Sequence, residues 1–259
     1  MLSLTSTEIS MLIGGFWWPF CRIMGAFMIM PLLGNAYVPV MVRIFLALSI
    51  AALLAPMLPP VPPVDAISLA SLFLAVEQLL IGFMLALFLT LLIHVMTMLG
   101  NIMSMQMGLA MAVMNDPANG DSSPIISEWF QIFGTLIFLA LNGHLVAINI
   151  IVDSFRLWPI GHGIFELPLM GLVSRLAWLF AASLMLAIPA VLAMLMVNIT
   201  FGVLSRSAPS LNIFSLGFPM TMLMGLLCVF LSLSGIPSRY SDLCLDALTA
   251  MYQFIGGIT

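Results

Sequence analysis

The segment from Ala66 to Val113 constrains the fold most, because nearly fifty residues pass without a proline and with Glu77 as the single charged side chain. As one straight helix this segment would be about 70 Å long, more than twice the roughly 30 Å hydrocarbon core of a bilayer. We therefore expect the segment to break. Leu99-Gly100-Asn101 is the best candidate for a bend or a hairpin tip, since glycine and asparagine favour turns.

Charge is scarce along the whole chain, with 63% hydrophobic and only 6% charged residues. Soluble domains carry about 25% charged residues, so a water-facing surface cannot be built from this composition. We predict an all-α membrane protein in contact with the lipid bilayer. A transmembrane barrel is excluded, because its segments would be about ten residues long and would alternate apolar with polar side chains.

Prolines and short polar stretches divide the chain into six or seven long, bent apolar helices. Asn142-Gly143-His144 is expected to interrupt one of them softly, and Trp158 is expected at headgroup level in the following loop. Pro189 bends another helix, and the last helix is amphipathic. Outside 66–113 the predicted helices are Glu8–Met30, Val40–Leu58, Ile125–Phe155, Pro168–Leu204, Ile213–Gly235 and Ser238–Phe254.

Ionisable side chains inside these apolar helices need partners, because a charge facing lipid at mid-span costs about 2.5 kcal/mol or more. The sequence leaves two positions open for the Arg22 side chain: it either extends to the membrane–water interface (snorkelling) or is buried against protein. Arg22 or Arg43 is the expected partner of Glu77, and pairing is favoured over proton relay. In the last helix, Arg239 and Asp242 are expected to form an ordinary surface pair. Because the chain has few charged residues, some partners of these ionisable side chains should come from other subunits. Arg206 is a further residue that requires such a partner.

Signatures of catalysis are missing from the sequence. The chain has no H-E-x-x-H, G-x-S-x-G or Walker motif, and its three histidines lack neighbouring ligands at metal spacing. The six basic residues are all arginines, without a basic run, and the net charge is −4, so no nucleic-acid partner is expected. We predict that the protein is not an enzyme and has no catalytic, cofactor-binding or metal site.

A stripe of methionines runs into the longest polar loop, Met114–Pro124. Core packing is the commonest role of such a stripe. The alternative is a soft lining that closes a pore and repacks around varied substrates, and we favour it because a core helix has no need of the polar loop. The stripe is formed by Met96, Met103, Met107, Met111 and Met114. The predicted gate comprises Met103, Met107, Met111 and Met114 with Asn115, Asp116, Pro117, Asn119 and Gly120.

Several short motifs occur in an order that resembles a known family. They include the run 16–22 (FWWPFCR), the run 75–82 (AVEQLLIG), Gln106–Leu109 leading to Asp116-Pro117-Ala118, and Asn142-Gly143-His144. The chain resembles the FliR family of flagellar export-gate proteins, and more distantly the SctT subunits of virulence-type secretion. At one position where members of that family often have an acidic residue, this chain has Asn101. We assign inter-helix or inter-subunit polar contacts to Arg22, Arg43, Glu77, Asn101 and Arg206.

The resemblance implies a hetero-oligomeric helical assembly around a channel. One such subunit would combine with FliP and FliQ homologues, with residues 1–212 forming a FliP-like unit and residues 213–259 a FliQ-like helical hairpin. The loop after the methionine helix would act as a plug. The assembly would lie in the bacterial inner membrane at the flagellar basal body, displaced toward the periplasmic side. FlhB and FlhA homologues would be neighbours, and unfolded rod, hook and filament proteins would be the exported substrates.

A second hypothesis comes from a different class of protein, the proton-coupled secondary transporters. Glu77 would then be the coupling group. Transporters commonly show inverted repeats and paired broken helices, and the sequence shows no convincing internal repeat. Purification separates the two hypotheses, because a transporter should be stable as a monomer or homodimer, whereas a gate subunit should require its partners.

Overall fold

The regular elements of the chain are helical in every part that the structure describes. The structure, a computed structural model, describes residues 6–35, 37–59, 64, 68–109, 124–164, 167–207 and 217–256. Its α-helices are α1 Ser6–Ile29, α2 Val40–Leu54, α3 Leu69–Gln106, α4 Ile125–Ala140, α5 Gly143–Leu157, α6 Leu169–Ser207, α7 Phe218–Ser232 and α8 Ile236–Gly256, with a 3₁₀ turn at Ala55–Met57. Within these ranges the all-α prediction is confirmed.

Three stretches are long and apolar enough to cross a membrane, namely Val40–Met57, Leu69–Gln106 and Leu169–Leu204. The number rises to five if α4 with α5, and α7 with α8, each count as one interrupted span. The prediction of a helical membrane protein agrees with these lengths. The prediction of six or seven helices is not confirmed, because the segment 125–155 forms two helices and the described ranges contain eight.

Helix α3 corrects the prediction of a bend or hairpin tip at Leu99-Gly100-Asn101. It runs without interruption for 38 residues, which corresponds to about 57 Å. Gly100 has a packing role instead, because a Cβ atom at this position would overlap the backbone of Ser127 in α4. The glycine therefore allows two helices to approach closely, and it leaves the hydrogen-bonded ladder of α3 intact.

The end of α3 is set by Gly108. The amide of Gly108 donates to the carbonyl of Met105 at 3.1 Å, and the amide of Leu109 donates to the carbonyl of Ser104 at 3.0 Å. Gly108 has a φ of 77°. These bonds form a Schellman motif, in which a left-handed residue satisfies the last carbonyls of a helix. Glycine is favoured here because it adopts positive φ without steric cost.

The predicted interruption at Asn142 is confirmed. Asn142 adopts a left-handed conformation with a φ of 55° and separates α4 from α5. Asparagine tolerates this conformation better than most residues. Prolines also mark helix starts, since Pro124 directly precedes α4 and Pro168 directly precedes α6. Pro219 lies in the first turn of α7 rather than inside the helix, where its missing N–H costs nothing.

The chain divides into two compact units, each built from separate stretches of sequence. Unit 1 comprises Met1–Leu91, Asn142–Arg175 and Leu245–Thr259, and unit 2 comprises Leu92–Leu141 and Leu176–Cys244. This division follows contacts in space and does not test the predicted boundary between a FliP-like part and a FliQ-like part. That boundary stays a prediction.

Unit 1 has its tightest helix crossing between α1 and α3. A Cβ atom on Gly25 would overlap the carbonyl of Leu79, and a Cβ atom on Gly82 would overlap the carbonyl of Arg22. The two backbones are therefore in direct contact, as in small-residue crossings of membrane helices. Around this crossing the described side chains Ile23, Ala26, Phe27, Ile81, Leu85 and Leu89 are buried.

Candidate functional site: a buried arginine cluster and the methionine helix

Arg22 of α1 lies fully buried within unit 1, at 0% exposure. Its Nε–H donates to Oε1 of Gln78 in α3 at 2.8 Å. One terminal nitrogen, Nη1, donates to the carbonyl and to the hydroxyl of Ser154 in α5, at 2.8 and 3.1 Å. The other, Nη2, donates to the carbonyl of Trp158 at 3.0 Å. One guanidinium thus joins α1, α3 and the end of α5.

The charge of Arg22 is balanced by dipoles and an aromatic ring. The Ser154 and Trp158 carbonyls lie at the C-terminal end of α5, where the helix dipole places partial negative charge. The guanidinium carbon also lies 4.3 Å from the ring centroid of Phe155, a favourable cation–π arrangement. Arg22 therefore acts as a buried cap on the C-terminal end of α5. This role depends on the planar guanidinium group, which donates hydrogen bonds in several fixed directions, and not on the positive charge alone.

Glu77 does not form the ion pair that the sequence suggested. Among the described residues, no contact within 4 Å joins its carboxylate to Arg22 or Arg43. Its carboxylate instead accepts a hydrogen bond from Nε2 of the neighbouring Gln78 at 3.5 Å. Consecutive residues on a helix point about 100° apart, so only one of Glu77 and Gln78 can face Arg22. Gln78 is the residue that does.

Two other predicted arginines behave differently. Arg43 in α2 donates from Nη2 to the carbonyls of Asn35 and Val38, the second at 2.9 Å. It therefore caps the turn that precedes its own helix. Arg206 is exposed in the last turn of α6, a position favoured for cations by the helix dipole. An inter-subunit role for Arg206 stays a prediction.

The methionine stripe near the C-terminal end of α3 packs within unit 2 as far as the structure describes it. Met96, Met103 and Met107 are buried, at 0%, 1% and 0% exposure. Met107 fits against Gly225 of α7 so tightly that a Cβ atom there would overlap its Cγ. These three side chains are thus held inside the subunit. The remaining predicted gate residues, Met111, Met114, Asn115, Asp116, Pro117, Asn119 and Gly120, lie outside the described residues.

Asn101 forms an inter-helix contact inside unit 2. The hydroxyl of Ser127 in α4 donates to Oδ1 of Asn101 in α3 at 2.7 Å. This bond lies beside the close approach of Gly100 to the Ser127 backbone. The amide oxygen of Asn101 therefore has a hydrogen-bond donor within this subunit.

Sequence reasoning missed several of these partners. Ser154 was not identified as a partner of Arg22, because the two residues lie 132 positions apart in the sequence. Trp158 is buried, and its carbonyl accepts a hydrogen bond from Arg22, a contact that was not expected; its position at headgroup level stays a prediction. The expected pair between Arg239 and Asp242 is not formed among the described residues. The ion pair that is found joins Arg175 of α6 to Asp246 of α8 at 2.7 Å.

Comparison with known proteins covers almost the whole chain. Residues 13–247 match the model of the family described as bacterial export proteins, family 1. Flagellar biosynthetic protein FliR of Pectobacterium carotovorum is 33% identical, over 97% of this chain and 99% of the relative. The protein of the same name from Escherichia coli K12 is 34% identical, over 87% of each chain. That from Bacillus subtilis 168 is 25% identical, over 84% of this chain and 85% of the relative.

The match therefore extends from the arginine cluster in α1 to the last helix, and it confirms the resemblance suggested by the short motifs. The chain belongs to the FliR family of bacterial export proteins.

Proposed function

We propose that this protein is a pore-forming and gating subunit of the flagellar type III export apparatus. It would pass unfolded rod, hook and filament subunits across the inner membrane. The observation that carries the proposal is the match of residues 13–247 to the export family, together with relatives that are named for flagellar biosynthesis. The apolar helices agree with a membrane location.

Helix α6 supports an assembly with other subunits. Its apolar stretch Leu169–Leu204 spans 36 residues, about 54 Å as a helix, and only a third of its most apolar window is buried. A hydrocarbon core of about 30 Å covers roughly twenty residues. Lipid therefore cannot cover the whole exposed apolar face, and the remainder requires protein. Exposed members of this face are Leu176, Phe180, Leu184, Ile188, Leu192, Met196, Ile199 and Val203.

The proposed partners are FliP and FliQ homologues in the pore, with FlhB and FlhA homologues beside it. The proposed place is the flagellar basal body, displaced toward the periplasmic side of the inner membrane. Such a displacement gives helices longer than the bilayer a protein environment. In this arrangement Met103 and Met107, which are buried inside the subunit, support the gate by packing. The other predicted gate residues would close the channel, namely Met111, Met114, Asn115, Asp116, Pro117, Asn119 and Gly120.

Co-expression tests the proposal. The chain should be purified alone and together with the FliP and FliQ homologues of the same organism. We expect a stable particle only in the second case, and loss of hook and filament subunits from the culture medium when the gene is deleted. A chain that is stable as a monomer or homodimer, in a deletion strain that still exports filament protein, would contradict the proposal. No described contact of Glu77 favours the transporter alternative, and Glu77→Gln should leave export intact.

A further inference from the structure

A groove in unit 1 lies outside both the arginine cluster and the methionine stripe. It has a volume of about 280 Å³ and is formed by α3, α6 and α8 with Pro168. The rings of Phe88 and Phe254 form an apolar floor, with centroids 5.3 Å apart. The rest of the lining is small or polar. The residues that line the groove are Phe88, Pro168, Gly171, Ser174, Arg175, Ala250, Gln253 and Phe254.

The Arg175–Asp246 ion pair places a positive charge in the lining of this groove and a negative charge beside it. Nη1 of Arg175 and Oδ2 of Asp246 are 2.7 Å apart, and their side chains are 19% and 49% exposed. Arg175 lines the groove itself, while Asp246 lies one helical turn before the lining residue Ala250. Asp246 is therefore about half exposed and Arg175 partly exposed beside an apolar floor.

The position of the groove points to a lipid ligand. Arg175 lies in the second turn of α6, at the beginning of the apolar stretch Leu169–Leu204. Arginine side chains near the ends of apolar helices reach the headgroup layer. The neighbouring residues Met170 and Val173 are 79% and 58% exposed. These side chains provide an apolar surface for acyl chains next to the groove.

Size and charge select the headgroup. Pockets for drug-sized ligands occupy about 300–1,000 Å³, so this groove is suited to a phospholipid headgroup but not to the acyl chains. A purely anionic headgroup would meet the Asp246 carboxylate. A zwitterionic headgroup satisfies both charges, because its phosphate can accept from Arg175 while its ammonium donates to Asp246. A primary ammonium has three N–H donors, whereas a trimethylated one has none.

We propose that the groove binds the headgroup of a zwitterionic phospholipid with a primary ammonium, with phosphate at Arg175 and ammonium at Asp246. The proposal is independent of the gate, and it identifies the start of α6 as a point where the subunit contacts the bilayer.

Native mass spectrometry of the full chain, in the assembly with which it purifies, tests the headgroup. The probes are phosphatidylethanolamine, phosphatidylglycerol and phosphatidylcholine with identical acyl chains. We expect phosphatidylethanolamine to be retained about fivefold more than either other lipid, the factor that corresponds to about 1 kcal/mol. Asp246→Asn keeps the size of the side chain and removes its charge. It should reverse the preference in favour of phosphatidylglycerol, a change that a merely structural ion pair would not produce.

A steric variant tests the location of the site. A Cβ atom on Gly171 meets no heavy atom within 4 Å, so the Cβ of Gly171→Phe fits without a clash, and the larger side chain starts from the lining of the groove. Gly202 on the same helix has equally open space and does not line the groove. We expect Gly171→Phe to abolish the preference for phosphatidylethanolamine, and Gly202→Phe to leave it unchanged. Equal retention of the three lipids by the parent chain, or an unchanged preference in Gly171→Phe, would overturn the proposal.

Discussion

Arg22 donates its Nε hydrogen to Oε1 of Gln78 at 2.8 Å, although the acidic residue Glu77 is the immediate neighbour of Gln78. The cation is fully buried and relies on neutral oxygens and on the Phe155 ring. A planar guanidinium can donate in several fixed directions at once, and this geometry holds α1, α3 and α5 together.

Replacement of Arg22 should therefore damage the fold even when positive charge is kept. Lysine is a single flexible donor group and cannot reach Gln78, Ser154 and Trp158 together. Each buried acceptor left without a donor costs about 1–3 kcal/mol. We expect Arg22→Lys to lower the melting temperature of the detergent-solubilised assembly clearly, and Arg22→Met to prevent its isolation. Arg239→Met, which removes an exposed arginine of α8, is the matched control and should melt like the parent. Equal melting of Arg22→Lys and the parent would contradict this role.

The crossing of α1 and α3 should tolerate no side chain at Gly25. Because a Cβ atom there would overlap the carbonyl of Leu79, we expect Gly25→Ala to force the helices apart at a cost on the order of 1–3 kcal/mol. Gly15 lies on the same helix with open space around it. Gly15→Ala should be neutral or stabilise by up to about 1 kcal/mol through helix propensity. Thermal unfolding compares the two variants, and similar losses in both would show that packing at Gly25 does not matter.

A double-mutant cycle can establish whether Asn101 acts within the subunit. If the hydrogen bond from Ser127 is its main contact, Asn101→Ala and Ser127→Ala should show a coupling energy of about 1 kcal/mol in the assembled complex. The control cycle pairs Asn101 with Ser49, whose hydroxyl bonds to the carbonyl of Phe45 within α2. That cycle should be additive. Additivity of Asn101 with Ser127 as well would assign Asn101 to another partner.

Met107 should be important for stability, whereas Met105 should not. Met107 is buried against Gly225, and Met105 is 67% exposed two residues earlier on α3. We expect Met107→Ala to cost about 2–5 kcal/mol through a cavity, and Met105→Ala to have little effect on unfolding. Gly225→Ala should destabilise the parent more than it destabilises Met107→Ala, because the smaller side chain leaves room for the new methyl group. Equal effects in both backgrounds would contradict this packing.

The backbone preferences of single residues predicted those features of the fold that depend on neighbouring residues in the sequence. Pro124 precedes α4 and Asn142 interrupts the chain before α5, since proline and asparagine restrict or permit particular backbone angles wherever they occur. The helical membrane class followed in the same way from composition. Gly100 was misread, because a glycine at a bend and a glycine at a helix crossing look alike in sequence. Only the position of Ser127 distinguishes them.

Contacts between distant residues could not be predicted with the same success. The expected pairs, Glu77 with an arginine and Arg239 with Asp242, were chosen by charge and by local spacing. The observed partners, Gln78 for Arg22 and Asp246 for Arg175, depend on which helix faces meet, and a rotation of one residue on a helix changes the partner. A buried arginine can also be satisfied by carbonyl groups, which every residue carries and no motif reveals.

The most direct test of the gate is the ionic conductance of membranes that contain the assembled complex, with and without Asn115–Ser123. We expect the shortened complex to co-purify with the same partners and to conduct small ions, since the segment would close the pore. Replacement of Asn115–Ser123 by a glycine–serine stretch of equal length separates loss of length from loss of side chains, and it should leak less than the deletion. A fully assembled deletion complex that conducts no more than the parent would contradict the account.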